Sequence, residues 1–160
     1  MVMIPGGFNM IVLPAPAQAL LGSDAVAHVW TANPNGSPQV SVVWVIVHDD
    51  EIAFGADASS MKVRNILQNA RVVLSVEDDE RNSRGYQRHL VLHGQARVLP
   101  GPDPLLMDRL ARKYLGLDRH PLALRDSPTS VVVRVAIERI AGLGPWVESS
   151  QPKQRVLTGG

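Results

Sequence analysis

The chain alternates short apolar segments with turn-forming residues, a pattern typical of antiparallel strands. Six segments predict strands, at residues 25–32, 37–48, 52–56, 71–76, 89–98 and 129–139. In the fifth, Leu90, Leu92 and Ala96 share one face while His89, His93 and Arg97 lie on the other. The second is apolar on nearly both faces, so we expect it to be covered on both sides.

Three short helices are predicted between the strands, one ending at Gly22, one over 61–69 and one beginning at Asp103. Ser59 and Ser60 precede the second helix and suit its N-cap. Apolar residues at helical spacing form the buried stripes of the second and third helices: Val63, Ile66 and Leu67, then Leu106, Leu110 and Tyr114.

Two polar segments are predicted to connect strands. Residues 33–36, Asn-Pro-Asn-Gly, are typical of a tight primed turn because Asn and Gly accept a positive φ. Residues 77–87 carry mixed charge and are expected to form a solvated loop. Hairpins with inserted short helices indicate an α+β fold, mainly antiparallel β, built as a six-stranded barrel. We expect a loose N-terminal arm over 1–15, this domain over 16–146 and a C-terminal tail over 147–160.

Composition excludes several kinds of site and partner. None of the 160 residues is cysteine, so disulfides, thiol nucleophiles and cysteine-ligated zinc are impossible. The net charge of +1 argues against a nucleic-acid partner. The charge is uneven, because residues 1–61 contain no Lys or Arg and the first basic side chains are Lys62 and Arg64.

The first 22 residues are apolar, but they lack the basic residues of a signal peptide and are broken by Pro and Gly. No membrane partner is therefore expected, and the expected location is cytoplasmic.

Most catalytic motifs are missing. His89 and His93 are four residues apart on a strand, about 13 Å, and cannot share a metal ion. The sequence has no HExxH, GxSxG, GxGxxG or Walker motif. No metal site is expected, and no catalytic residue is assigned.

The segment over 59–65, Ser-Ser-Met-Lys-Val-Arg-Asn, lies where a strand ends and a helix begins. Free N–H groups at a helix start, with serine hydroxyls, Lys62 and Arg64, suit a phosphate mono- or diester. An ordinary capped helix with solvated cations explains the pattern nearly as well. Trp44 also has two interpretations: it fills the barrel, or it packs beside a flat heterocycle that lies along residues 39–44.

Five stretches in this order resemble the pyridoxamine 5′-phosphate oxidase-like split-barrel superfamily of flavin- and deazaflavin-dependent oxidoreductases. They are residues 36–44, 51–55, 60–66, 69–74 and 92–96, within a resemblance that covers roughly 16–146. The resemblance implies a homodimer of split barrels with cofactor sites at the interface. It also implies cofactor contacts from two segments, at Gln39, Val40, Ser41, Val43 and Trp44, and at Ser59, Ser60, Lys62, Arg64 and Asn65. Arg88, His89 and Trp146 are candidates for contacts from the partner chain.

The Ser-x-Lys-x-Arg-Asn pattern and the short chain are more similar to the deazaflavin-dependent branch than to the vitamin B6 oxidase itself. The implied cofactor is coenzyme F-420, with FMN as the alternative. The implied reaction is hydride transfer between this cofactor and a small electron-poor substrate, with a proton from solvent, His89 or Tyr86. The alternatives are an FMN-dependent oxidase or reductase, and a non-catalytic flavin-, deazaflavin- or haem-binding protein. A haem would need an axial ligand from one of five histidines: His28, His48, His89, His93 or His120.

Overall fold

The computed structural model describes residues 2–4, 8–121 and 125–148. The elements, in chain order, are β1 (Val2–Ile4), β2 (Phe8–Met10), α1 (Ala15–Gly22), β3 (Ala27–Ala32), β4 (Pro38–Val43), β5 (Ile46–His48), β6 (Glu51–Asp57), α2 (Met61–Gln68), β7 (Arg71–Arg81), β8 (Gln87–Pro100), α3 (Pro104–Leu115), β9 (Ser130–Leu143) and α4 (Pro145–Glu148). No helix among these residues is long and apolar enough to cross a membrane.

Seven strands form one antiparallel sheet in the order β4-β3-β7-β8-β9-β6-β5, and β1 pairs only with β2. The two edge strands are consecutive in the chain, since only Trp44 and Val45 separate β4 from β5. Three peptide units span at most about 11 Å, so the two edges must approach each other and the sheet curls into a barrel. The α+β, mainly antiparallel class is confirmed. The prediction of one strand over 37–48 is wrong, which is why the sheet has seven strands instead of six.

We call Trp44 and Val45, which connect the two edge strands, the crossing. Side chains of α3 hold the crossing in place. The backbone N–H of Val45 donates to Tyr114 Oη (3.2 Å), and its carbonyl accepts from Lys113 Nζ (2.6 Å). A residue between two strands lacks ladder partners, so these side chains satisfy backbone groups that would otherwise be buried and unpaired. Tyr114 Oη also donates to the carbonyl of Ala25 (2.9 Å), which ties the crossing to the start of β3.

The main core fills the barrel, and a second cluster lies between α3 and the outside of the sheet. Alternation in β8 is confirmed, because Leu90 and Leu92 are fully buried. Strand β9 is buried on both faces: Val133 faces the barrel interior and Val132 packs under α3. The second cluster contains Ile46, Ala53, Leu106, Met107, Leu110 and Val132.

The β8–β9 pair contains a bulge that only glycine accommodates. The register shifts between His93 and Gly94. A Cβ on Gly94 would lie 2.3 Å from the carbonyl oxygen of Ala136, which is far inside contact distance. Gly94 therefore permits the close backbone approach at this bend.

Three local predictions need correction. Helix α2 begins and ends close to prediction, but Leu67 is 70% exposed and the polar Asn65 takes its place in the buried stripe. Residues 77–81 extend β7, so the solvated loop shrinks to the turn between Arg81 and Gln87. The described part of the N-terminal arm is not loose, because Leu13 is buried in the main core.

The primed turn lies at a different hairpin from the predicted one. At 33–36 only Gly36 has a positive φ (83°), and its N–H donates to the carbonyl of Asn33. This is the pattern of an ordinary turn followed by a glycine bulge. Asp49 and Asp50, with φ of 50° and 60°, join β5 to β6 instead. The predicted tail beyond residue 148 lies outside the described residues.

Candidate functional site

A groove of about 390 Å³ runs along the end of β4, the C-terminal end of β6, the start of α2 and one side of α3. It brings together four residues that the sequence assigns to a cofactor: Val43, Trp44, Ser60 and Lys62. These come from two distant segments, 39–44 and 59–65. The groove is therefore the place where the two predicted contact segments meet.

Lys62 provides the positive charge of the groove. Its side chain is half-buried, and desolvation lowers its pKa below the ordinary value. No hydrogen bond or ion pair links its ammonium to any of the residues that the structure describes. A partly buried charge without a counterion is unfavourable, so an anion in the groove would supply an interaction that the protein itself does not.

The serines before α2 do not cap it as predicted. Ser60 occupies the N-cap position, but its hydroxyl donates to the carbonyl of Asp57 (2.7 Å) and accepts no helix N–H. Ser59 donates to the Asp57 carboxylate through its hydroxyl (2.5 Å) and its N–H (2.8 Å). The first turn of α2 thus keeps N–H groups without a side-chain acceptor, the arrangement that binds phosphate oxygens in other proteins.

Asp57 is the carboxylate that lines the groove. Hydrogen bonds from Ser59 and then Thr129 lower its pKa to about 2. One oxygen accepts from Ser59 and the other from the Thr129 hydroxyl at 2.7 Å. Both carboxylate oxygens are therefore engaged at the rim, and neither forms an ion pair with Lys62.

Asn65 does not face the groove. It is 2% exposed, and its Nδ2 donates to Thr31 Oγ1 (3.0 Å) and Asn33 Oδ1 (2.9 Å). The Thr31 hydroxyl donates to Gln39 Oε1 (2.9 Å), and Gln39 Nε2 donates to Ser41 Oγ (2.9 Å). Three predicted contacts, Gln39, Ser41 and Asn65, are thus joined in one network that fixes α2 against β3 and β4.

Two further predicted residues lie outside the groove on the protein surface. Val40 is exposed on the outside of β4, paired in register with the exposed Trp30 of β3. Arg64 is exposed and lines none of the groove.

The predicted partner-chain contacts lie together in a separate place. Arg88 binds Asp78 and Glu80, each at 3.0 Å, and lies over the ring of Trp146. Trp146 is a core residue whose indole N–H donates to the carbonyl of His89 (3.1 Å). None of the three predicted contacts lines the groove of the same chain.

The aromatic wall of the groove could not be seen in the sequence. Trp44 does not fill the barrel: its ring stacks on Tyr114, with centroids 5.1 Å apart and planes 6° apart. His120 lies in the segment after α3, and its ring is tilted against the Trp44 ring, with centroids 5.9 Å apart. Tyr114 was visible only as a member of a helical stripe, and nothing near His120 in sequence connects it to Trp44.

The ion pair between Arg125 and Asp108 fixes the position of His120. His120 is 5% exposed and contributes to the groove wall. The backbone N–H of His120 donates to Asp108 Oδ1 (3.0 Å), and Arg125 binds both oxygens of Asp108 (2.8 and 3.0 Å). The Arg125 hydrogen bonds, with help from the His120 N–H, lower the pKa of Asp108 to about 2, so this anchor stays ionised.

Comparison with known proteins agrees with this architecture. A family model described as pyridoxamine 5′-phosphate oxidase matches residues 13–144. The chain is similar to a solved F-420 reductase, with 27% identity, 80% of this chain and 98% of that chain covered, and a TM-score of 0.68. No curated protein matches the sequence significantly.

Two more distant structures share the fold. A conserved hypothetical protein from Mycobacterium tuberculosis is 22% identical over 94% of each chain, with a TM-score of 0.68. HutZ, a haem storage protein from Vibrio cholerae, is 14% identical over 82% of this chain and 95% of that one, with a TM-score of 0.62.

Proposed function

This chain belongs to the pyridoxamine 5′-phosphate oxidase family, and we propose that it is an oxidoreductase that binds coenzyme F-420 in the Lys62 groove. In this proposal it transfers hydride between the cofactor and a small electron-poor organic substrate. The observation that carries the proposal is Lys62: a half-buried cation without a described partner, beside an uncapped helix start and across from a flat aromatic wall.

The groove suits a ligand with an anion at one end and a planar ring at the other. Lys62 and the first turn of α2 offer charge-assisted donors to a phosphate. Trp44, held by Tyr114, offers a rigid aromatic edge to a ring system. Coenzyme F-420 and FMN both have this general form. The similarity to an F-420 reductase and the Ser-x-Lys-x-Arg-Asn pattern favour F-420.

When bound, the deazaflavin supplies or accepts the hydride. The residues of the chain orient the two planar molecules and exclude water, for which Met107 and Leu110 of α3 provide apolar cover. His120 contributes an imidazole to the groove wall, and we assign this side chain to hold the proton that the substrate takes up when it accepts hydride. Tyr86 and His89 are poor candidates within one chain, because both are exposed and neither lines the groove.

The proposal includes a homodimer in which a second copy covers the outside of β3 and β4. Trp30, Val40 and Val42 are exposed there, with Val42 at 60%, and Trp30 pairs in register with both Val40 and Val73. Contiguous exposed apolar surface of this kind favours a protein partner. Light scattering should give twice the chain mass for the native protein, and Val42→Asp should shift it toward the monomer. A native monomer would overturn this part of the proposal.

Parallel titrations of the purified protein with F-420, FMN and haemin test the cofactor. Tighter binding of F-420, read by fluorescence, supports the proposal, whereas a preference for FMN overturns the choice of cofactor. Binding of haemin alone would favour the non-catalytic alternative. Absence of binding to all three would overturn the function itself.

Turnover separates an enzyme from a carrier. Oxidation of reduced F-420 by quinone-like or unsaturated acceptors should be faster with protein than without. His120→Gln should lower this rate while leaving F-420 affinity nearly unchanged. An unchanged rate would remove His120 from the proposal.

A further inference from the structure

A second cleft of about 370 Å³ lies on the opposite side of α3 from the groove, and the two share no lining residue. We call it the α3 cleft. Its floor is the outside of the sheet where α3 leaves it uncovered. Four aliphatic side chains of the sheet form this floor, Ile46, Ala53, Leu99 and Val132, and Leu106 of α3 packs beside them. Leu105, which is strongly exposed, stands at its rim.

Arg134 lines the α3 cleft and uses only part of its hydrogen-bonding capacity. Its Nη2 donates to the carbonyl of His48 (3.1 Å) and to Glu51 Oε1 (2.9 Å). Its Nε is buried and has no acceptor among the described residues. No bond from Nη1 to those residues is formed either. The guanidinium is therefore fixed in place, and because Nε is shielded from the cleft, Nη1 is the nitrogen left to donate to a ligand.

The ion group around Arg134 carries an excess of positive charge. Glu51 is buried and is shared by Arg97 and Arg134, so one carboxylate serves two guanidinium groups. Arg109 of α3 lines the same cleft and pairs with none of the described residues. The lining carboxylate, Asp103, accepts the N–H of Leu106 at the start of α3.

One more titratable group lines the α3 cleft. His48 lies 3.3 Å from Asp49, so a proton on His48 would be balanced by that carboxylate. Among the side chains that line the cleft, Arg109 and Arg134 exceed Asp103 by one charge. A single negative charge on a ligand would balance the cleft, and arginine is the side chain best suited to grip a carboxylate.

We propose that the α3 cleft binds a small aliphatic monocarboxylate, with its carboxylate between Arg109 and Arg134 and its chain on the apolar floor. The described lining is mainly aliphatic and contains no Phe, Tyr or Trp ring, which favours an alkyl chain over an aryl group. Apolar walls with few convergent polar groups are typical of small-molecule sites. The proposal is independent of the cofactor and of the reaction in the Lys62 groove.

Nuclear magnetic resonance of the ¹⁵N-labelled, cofactor-free protein tests this site with octanoate as the probe. Octanoate should shift the amide signals of Leu105, Arg109 and Val132 saturably and leave those of the Lys62 groove in place. Octan-1-ol, which has the same chain without the charge, should bind at least fivefold more weakly. Benzoate should also bind more weakly, because the floor is aliphatic.

Arg109→Gln should weaken octanoate binding roughly tenfold, as expected for loss of one charge-assisted contact. Arg112→Gln is the matched control: it removes an exposed arginine from the same helix, outside the cleft, and should leave the affinity unchanged. Arg134→Gln should weaken binding further if the variant folds, and Arg109→Gln remains decisive if it does not. No saturable shift, shifts spread over the surface, equal binding of octan-1-ol, or equal loss in Arg112→Gln would overturn the proposal.

Discussion

Replacing Lys62 by methionine separates an anion site from an ordinary solvated helix start. The change keeps most of the side chain length and removes only the charge. If Lys62 donates one charge-assisted hydrogen bond to a phosphate, its loss costs about 1.5–3 kcal/mol of binding free energy. That corresponds to a dissociation constant raised roughly 10- to 150-fold.

The same substitution should not destabilise the free protein. Desolvation lowers the pKa of Lys62, and no described residue compensates its charge. The free energy of unfolding of cofactor-free Lys62→Met, measured in urea, should therefore equal or exceed that of the native chain. A stabilised protein that has lost its ligand affinity is the signature of a residue placed for binding.

Arg64→Gln is the matched control, because it removes an exposed cation from the same helix outside the groove. Solvent-screened charges contribute at most about 1 kcal/mol, so its effect on F-420 affinity should stay below roughly fivefold. Fluorescence titration at fixed ionic strength measures both variants. Equal F-420 affinities of the native protein and Lys62→Met, or equal losses of affinity in both variants, would refute the reasoning. Lys62 would then be an ordinary solvated side chain at the start of a helix.

Three other predictions concern the framework. Asn65→Ala should lower the free energy of unfolding by about 1–3 kcal/mol in urea, because Thr31 loses its buried donor; a neutral effect would contradict the network. Gly94→Ala should cost about 1–3 kcal/mol, since its Cβ would meet the backbone carbonyl of Ala136; an unchanged thermal midpoint would show that the bulge relaxes. The hydrogen bond from Arg97 is the main cause that lowers the pKa of Glu51 below its ordinary value of 4.5. The stabilisation from ionised Glu51 is therefore full above pH 4.5 and is lost as the pH falls below that value. In Glu51→Gln the thermal midpoint should depend less on pH below 4.5.

Features set by neighbours in sequence were predictable. Asp103 caps α3 by accepting the Leu106 N–H, and Gly116 ends it with a positive φ of 68°, because both depend on local backbone geometry. The faces of β8 followed from period-two alternation. The two segments that meet at Lys62 were singled out as well, residues 59–65 by their serines and cations, and both segments by the resemblance to the split-barrel superfamily.

The aromatic wall of the site depended on contacts between distant residues. Trp44 contacts Tyr114 and His120 only because the strand is interrupted between β4 and β5, and side chains of α3 hold this interruption in place. An apolar run of twelve residues gives no sign of that interruption. Asn65 was misplaced for a related reason: the hydroxyl that holds it belongs to Thr31, more than thirty residues earlier.

The two-residue crossing at Trp44 and Val45 also acts as a spacer. It sets how far apart the barrel edges stand, and Trp44 itself is one wall of the groove. Inserting a single residue there should widen the groove without altering any side chain that lines it. The width of the groove is therefore adjustable through backbone length, which gives protein engineers a control separate from the chemistry of the groove lining.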